Sequence, residues 1–296
     1  MGLIAELTDR GIVRIAGPER SPFLQNLLTC NMDLVENSGP QFGALLTPQG
    51  KILFDFLIAN SEQGYLVDLP LSLIPTFIKR LGFYKLRAKV DIEDVSQDLA
   101  ALAIWDCQEE PEIPALTYRD PRLSQLGFRA IGARSGLGAD FATQGLTHVP
   151  LHDYHTHRIR LCVPQGELDY DYGSIFPHDV NMDGLNGIDF SKGCYVGQEV
   201  VSRVKHRGTA RKRMISVVAD GSLPVSGTPI TASGKSIGTL CSSAGSTAIA
   251  QLRLDRVKNA LDQNVPLFVE DTEVHVSLPG WANFDWPETE AQTGKE

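Results

Sequence analysis

A chain of 296 residues, 42% of them hydrophobic and 21% charged, is long enough for one large domain and a smaller one, each with a buried core. The net charge of -9 excludes a basic nucleic-acid coat protein, because phosphate binding needs clustered Lys and Arg, and direct nucleic-acid binding is not expected. The longest apolar stretch, Ile52 to Ala59, is broken by Asp55 and is too short to cross a bilayer, so no membrane partner is expected.

The opening residues Met1-Gly2-Leu3-Ile4-Ala5-Glu6 lack a basic stretch ahead of an apolar core, which argues against a secretory signal. Cys30, Cys107, Cys162, Cys194 and Cys241 lie far apart with no CxxC pair. Such a set points to reduced thiols in the cytoplasm and offers no four-thiolate nest for a cluster of the chain's own.

In chain order, a strand is expected at Gly11 to Ala16, followed by a helix opened by Gly17-Pro18 with Pro at its first position. Phe23, Leu24, Leu27 and Leu28 give that helix an apolar face. Leu45 to Gly50 turns into a strand from Lys51 to Ala59, and a further strand follows at Tyr65 to Leu69. Ile74, Phe77, Ile78 and Leu81 have helical spacing, with a start at Asp68 or Pro70 and a stop at Gly82. Strand-like runs recur at Lys89 to Val95, Ala100 to Trp105 and Gly127 to Gly132. Strands and helices mix without strict alternation, which predicts an α+β body rather than a doubly wound sheet.

From Met214 onward, Gly and Pro punctuate short apolar runs that end in the alternating Val265 to Leu278. That texture predicts a small all-β barrel or sandwich. The expected division is an α+β domain over 1–213, a C-terminal β-barrel over 214–281 and a loose acidic tail over 282–296.

The chemistry concentrates between Asn181 and Arg213. Lys192-Gly193-Cys194-Tyr195-Val196-Gly197-Gln198-Glu199 places a thiol two residues from a cation, which favours the thiolate. Gly193 and Gly197 permit tight backbone and close ligand approach. Gln198 and Glu199 offer a donor and an acceptor side by side for the edge of a flat heterocycle. From Lys192 to Arg213 there are seven Lys or Arg against one acid, Glu199, a positive stretch suited to an anionic ligand. Read by composition alone, Cys194 could equally be a small buried hydrophobe and the basic run a solvated surface.

Asn181-Met182-Asp183-Gly184-Leu185-Asn186-Gly187-Ile188, with Phe190 and the Cys194 motif after it, resembles the signature of the YgfZ-type folate-binding proteins, relatives of the glycine-cleavage T-protein. Leu45-Leu46-Thr47-Pro48-Gln49-Gly50-Lys51-Ile52-Leu53-Phe54-Asp55 resembles that family's N-terminal motif. Weaker likenesses are Phe23-Leu24-Gln25 with Thr29, Tyr84 to Val90, and Gly234 to Gly238 with Leu252-Arg253. The resemblance covers nearly the whole chain. It implies a folate-binding α+β domain of antiparallel sheets with helices and a C-terminal β-barrel. It further implies tetrahydrofolate as ligand, iron–sulfur client or assembly proteins as partners, and support of iron–sulfur enzymes, including those that thiolate tRNA.

Carried onto this sequence, the resemblance makes Cys194, Lys192 and Asp55 the catalytic candidates. Asp55, Arg87, Asn181, Gln198, Glu199 and Arg203 are the folate-binding candidates. Phe54 stands where the T-protein has the first of two acids, which weakens the alternative of a folate-dependent aminomethyl or one-carbon transferase. No metal ligands are assigned: His152, His155 and His157 with Cys162 lack zinc-site spacing. Gly234-Lys235-Ser236 reads as a turn, since Pro229 occupies the first glycine of a phosphate loop. Asp169 and Asp171 could form a carboxylate pair or a polar loop.

Overall fold

The computed structural model describes residues 2–136, 141–208 and 210–288, with Arg207 described by its backbone alone. These fall into two compact units. One is built from 1–157, 172–174 and 185–202, the other from 158–171, 175–184 and 203–296.

The first unit lays down, in chain order, β1 (Gly2–Glu6), β2 (Arg10–Ala16), α1 (Arg20–Gln25), α2 (Met32–Asn37), β3 (Gln41–Leu46), β4 (Ile52–Ser61) and β5 (Gly64–Pro70). α3 (Ile74–Lys85), β6 (Asp91–Asp94), β7 (Leu99–Trp105), β8 (Ala115–Arg119), β9 (Phe128–Ala133) and β10 (Leu146–His148) follow. One sheet runs β3-β4-β5-β2-β6, with antiparallel neighbours throughout; the other runs β10-β1-β7-β9-β8 and is antiparallel except for β1 beside β10. Two more helices, α4 (Leu151–Arg160) and α5 (Gln198–Arg207), each begin in this unit and end in the other.

Alternation along the central strands decides what each face carries. Val13 and Ile15 of β2, Phe54, Phe56 and Ile58 of β4, and Tyr65, Val67 and Leu69 of β5 join one hydrophobic cluster beneath α1, α2 and α3. The intervening residues put Asp55 and Asp68 on the opposite face, where Asp68 pairs in register with Leu57, two residues along from Asp55. Both carboxylates are buried there.

Asp68 is held by the Arg10 guanidinium, whose Nε donates at 2.6 Å. Arg129 of β9 approaches Asp68 at 3.5 Å and Asp120 at 3.3 Å, and donates to the Tyr154 hydroxyl at 2.7 Å. Arg122 doubles the hold on Asp120, at 2.9 and 2.6 Å. This chain of charges ties the two sheets together. Burial opposes the Asp120 charge, yet Arg122 and Arg129 outweigh it and keep the carboxyl below its ordinary range.

Two expected helix boundaries are corrected. The first helix starts at Arg20, not at Pro18: Gly17, at φ 106°, makes a turn and Glu19 takes the N-cap. The helix at Ile74 is preceded by a short 3-10 turn at Leu71–Leu73 and runs through Gly82 to Lys85. Gly82 has open space around it, so nothing breaks the helix there, and Ile74, Phe77 and Leu81 bind its face to the core.

The second unit holds β11 (Lys212–Ala219), β12 (Pro229–Ala232), β13 (Lys235–Ala244), β14 (Thr247–Arg253), α6 (Leu254–Asp262), β15 (Leu267–Val269) and β16 (Thr272–Ser277). The strands close into a barrel in the order β11-β14-β13-β12-β15-β16, and β16 returns to β11. The α+β body and terminal barrel are thus as expected, but the barrel unit is not purely β. Leu254, Val257 and Ala260 recur at helical spacing and seat α6 on the barrel core. Phe284 and Trp286 of the expected loose tail also pack on that core, while residues 289–296 lie outside the described residues. Asp169 is no partner for a second carboxylate; it is buried against Arg158 at 2.6 Å and accepts the Gln165 and Ser242 amides.

Asp120→Asn is expected to lower the unfolding free energy by about 3 kcal/mol, because it leaves two buried guanidinium groups short of their counter-charge. In the wild type this contribution is fully present above about pH 4 and is lost as the pH falls through the depressed carboxyl value. Urea titrations of both proteins between pH 2 and 7 measure it. Equal stability of the two proteins at neutral pH would remove Asp120 from the account.

Candidate functional site: an exposed thiol on an anchored loop

The loop ahead of α5 is fixed by contacts on both sides of Cys194. The Asp189 carboxylate accepts the Ser191 and Lys192 amides at 2.7 and 3.2 Å and the Ser191 hydroxyl at 2.6 Å. Burial raises the Asp189 carboxyl, but these hydrogen bonds outweigh it and bring it below the ordinary value. Upstream, the Thr29 hydroxyl donates to the Gly187 carbonyl at 2.6 Å and accepts the Ala44 amide at 2.8 Å.

Lys192 does not point its charge at the thiol loop's surface. Its ammonium is buried and donates to three carbonyls, those of Gln25 at 2.8 Å, Leu28 at 2.7 Å and Cys30 at 2.6 Å. These carbonyls lie at and beyond the end of α1, where a cation meets the unpaired C=O groups of a helix terminus. Burial lowers the Lys192 pKa from its ordinary value.

Downstream of the thiol, Gly197 adopts φ 82° and lies so close to the Thr47-Gly50 turn that a Cβ would stand 2.5 Å from the Thr47 carbonyl oxygen. Gly50, at φ 79°, likewise faces Val200 of α5, with 3.0 Å for a Cβ. The two sequence motifs, some 150 residues apart, therefore meet backbone to backbone, and each supplies a glycine for the approach.

Between these anchors Cys194 is exposed. The other cysteines differ from it. Cys30, Cys162 and Cys241 are buried and Cys107 is partly covered. Burial pushes the Cys30 thiol up to about 11 despite Lys192 nearby, and Cys241 up to about 12; Cys162 and Cys107 are raised as well. These four are poor sources of thiolate at neutral pH. Among the described residues Cys194 is the exposed sulfur.

The remaining sequence candidates are distributed. Gln198 is half-buried and Glu199 exposed, both on the first turn of α5. Asp55 is buried on β4 and accepts a short hydrogen bond from the Tyr172 hydroxyl. Arg87 is exposed just past the end of α3. Asn181 and Arg203 belong to the second unit. Arg203 is exposed, whereas the Asn181 amide is fully buried and bonds both ways to the Met214 backbone, at 2.8 and 3.3 Å. The basic run is also less open than its sequence suggests, because Arg213 is buried against Asp183 at 2.5 and 2.9 Å.

Sequence reading missed the charged cluster of Arg10, Asp68, Asp120, Arg122 and Arg129. Its signal was present: Asp68 interrupts the apolar run Tyr65 to Leu69, and Arg129 interrupts Phe128 to Ile131. A charge inside such a run is either on an open face or paired in the interior.

Residues 211–284 match the family model described as the CAF17 C-terminal beta-barrel domain. The mouse mitochondrial iron–sulfur cluster assembly factor IBA57 is 30% identical over 95% of this chain and 84% of its own length. The chain belongs to the IBA57 family of iron–sulfur cluster assembly factors. Its human member is 29% identical with the same coverage, and the Neurospora crassa homologue 31% identical over 73% of the chain. Among solved structures, the glycine-cleavage aminomethyltransferase T of Bartonella henselae superposes with a TM-score of 0.69 over 97% of this chain and 88% of its own, at 12% identity. That likeness establishes the aminomethyltransferase-type fold alone.

Membership in this family places the chain in iron–sulfur maturation. It also corrects the cytoplasmic expectation, because these relatives are named mitochondrial. Scattered free cysteines report a reducing compartment, and that property does not separate the cytosol from the mitochondrial interior.

In native protein a maleimide reagent is expected to label Cys194 fastest, the partly covered Cys107 more slowly, and Cys30, Cys162 and Cys241 only on unfolding; mass spectrometry of the digested adduct checks it. Gly197→Ala is expected to cost about 2 kcal/mol or more, from the left-handed backbone and the clash with Thr47. Thermal denaturation of that variant measures the cost.

Proposed function

We propose that this chain is a YgfZ-type, tetrahydrofolate-binding member of the family, in which Cys194 acts as a transient ligand to iron during cluster maturation. The observation that carries the reading is the exposure of Cys194 on a loop anchored by Lys192, Asp189 and Gly197. A thiolate is the form that binds iron, so the Cys194 sulfur loses its proton to solvent as the iron–sulfur bond forms. One thiolate cannot hold a cluster by itself, and the remaining ligands come from a partner protein. Lys192 serves as a positioning residue for this sulfur.

The donor set of the first unit suits a reduced pterin. The Tyr118 hydroxyl, Asp68 Oδ2 and Arg129 Nη1 are buried without a hydrogen-bond partner, although the last two attract each other at 3.5 Å. Together with Asp55 they offer donors and a carboxylate acceptor to the amide and amidine edge of a flat heterocycle. Burial, and then Asp68, raise the Tyr118 phenol, so it stays protonated and able to donate. When bound, tetrahydrofolate supplies nitrogens that carry one-carbon units. Gln198 and Glu199 of the same unit are proposed to bind it less directly than Asp55; Arg87 is exposed past α3, Arg203 belongs to the other unit, and the Asn181 amide is already taken on both sides by the Met214 backbone.

Titrating tetrahydrofolate into the purified protein is expected to quench the fluorescence of its three Trp residues in a saturable way, and Asp55→Asn to weaken the apparent affinity about tenfold through loss of a charged hydrogen bond. Cys194→Ser is expected to bind folate normally and to fail in restoring iron–sulfur enzyme activity to a strain depleted of its own factor. Full restoration by that variant would end the role proposed for the thiol.

A further inference from the structure

A second feature of the first unit lies outside the thiol loop. From Leu71 to Val90 the sequence holds Lys79, Arg80, Lys85, Arg87 and Lys89 and neither Asp nor Glu, in a chain whose net charge is -9. α3 turns Ile74, Phe77 and Leu81 onto the core. At 100° per residue the opposite side of the helix carries Phe83, 65% exposed, between the exposed Lys79 and Arg80. Leu86, immediately past the helix, is 89% exposed and held at φ 45°, where a side chain is disfavoured. Arg87 and Lys89 beyond it are exposed.

The bland account covers only part of this. A cation in the last turn offsets the negative end of a helix, which explains Lys85 and no more. Glu19 meets the segment, but through its Oε2, which accepts the Lys89 backbone amide at 2.5 Å; the Lys89 side chain remains exposed. Phe83 and Leu86, two large apolar groups ringed by cations, are not among the residues packed on the core of this unit.

We propose that this end of α3 is a docking surface for an acidic partner protein, with Phe83 and Leu86 as apolar anchors and Lys79, Arg80, Arg87 and Lys89 as the complementary charge. The inference rests on the reading that Cys194 works together with a partner, and it supplies the kind of partner: one presenting carboxylates around an apolar notch. Aromatic anchors ringed by polar groups are the usual energetic centre of such contacts, and opposite charge speeds their encounter. A protein fits better than an anionic bilayer. The rest of the chain is more acidic than the net charge shows and is repelled by a broad negative surface, whereas a partner need be acidic only where the patch lands.

The test compares three variants of the full chain in a strain depleted of its own factor, reading the activity of a four-iron–four-sulfur enzyme. Phe83→Asp with Leu86→Asp, and separately Lys79→Glu with Arg80→Glu, are expected to lose about tenfold in restored activity. Both are expected to keep the wild-type melting temperature and maleimide reactivity at Cys194. Cys194→Ser is run in parallel. If the α3 variants restore activity fully, the docking surface is refuted, whatever Cys194→Ser does. If they fail while Cys194→Ser restores it, the surface stands and the thiol reading falls. Sedimentation with phosphatidylcholine–phosphatidylserine vesicles that depends on Phe83 and Leu86 would assign this face to a bilayer and overturn the proposal.

Discussion

Three carbonyl oxygens around one buried ammonium set the geometry on which the thiol depends. Lys192 ties the loop before α5 to the end of α1, and with the Asp189 and Gly197 contacts on either side it holds a glycine-bearing segment at a defined place. The arrangement separates two tasks that lie side by side in the sequence. The cation near Cys194 in the chain is used for position, and the sulfur's availability comes from exposure instead.

The same economy appears in the interior of the first unit. Buried arginines and aspartates there are costly to desolvate and are tolerated only because each is met by opposite charge or hydrogen bonds. Such a cluster is weak as a source of stability compared with apolar packing, which the neighbouring face of the same strands already provides. Its place between two sheets makes it a tie between them, and Tyr118 Oη, Asp68 Oδ2 and Arg129 Nη1 lie buried in this unit without a hydrogen bond.

Much of this was legible in the residues. The strands from Ile12 to Ile15 and from Ile52 to Ala59, the helix over Ile74 to Leu81, and the change to barrel texture near Met214 follow from periodicity and turn chemistry, which are local signals. What was not legible is non-local. Lys192 reads as a thiol activator until the carbonyls of Gln25, Leu28 and Cys30 are seen around it, because those lie more than 160 residues away. Asn181 reads as a ligand residue until Met214 takes both its amide groups. Arg213 likewise leaves the basic surface for Asp183. The α6 helix was hidden between the Gly-rich segment before it and the alternating strand pattern after it, although Leu254, Val257 and Ala260 carried its period.

The closed barrel of the second unit has a consequence for assembly. Every strand in it has a hydrogen-bonded neighbour on both sides, so no edge is left on which a foreign strand could be added. The open sheets of the first unit end instead in β3, β6, β8 and β10. Among the described strands, those four rims are where the backbone of another polypeptide finds an open sheet edge, and the terminal module meets a partner mainly through its side chains.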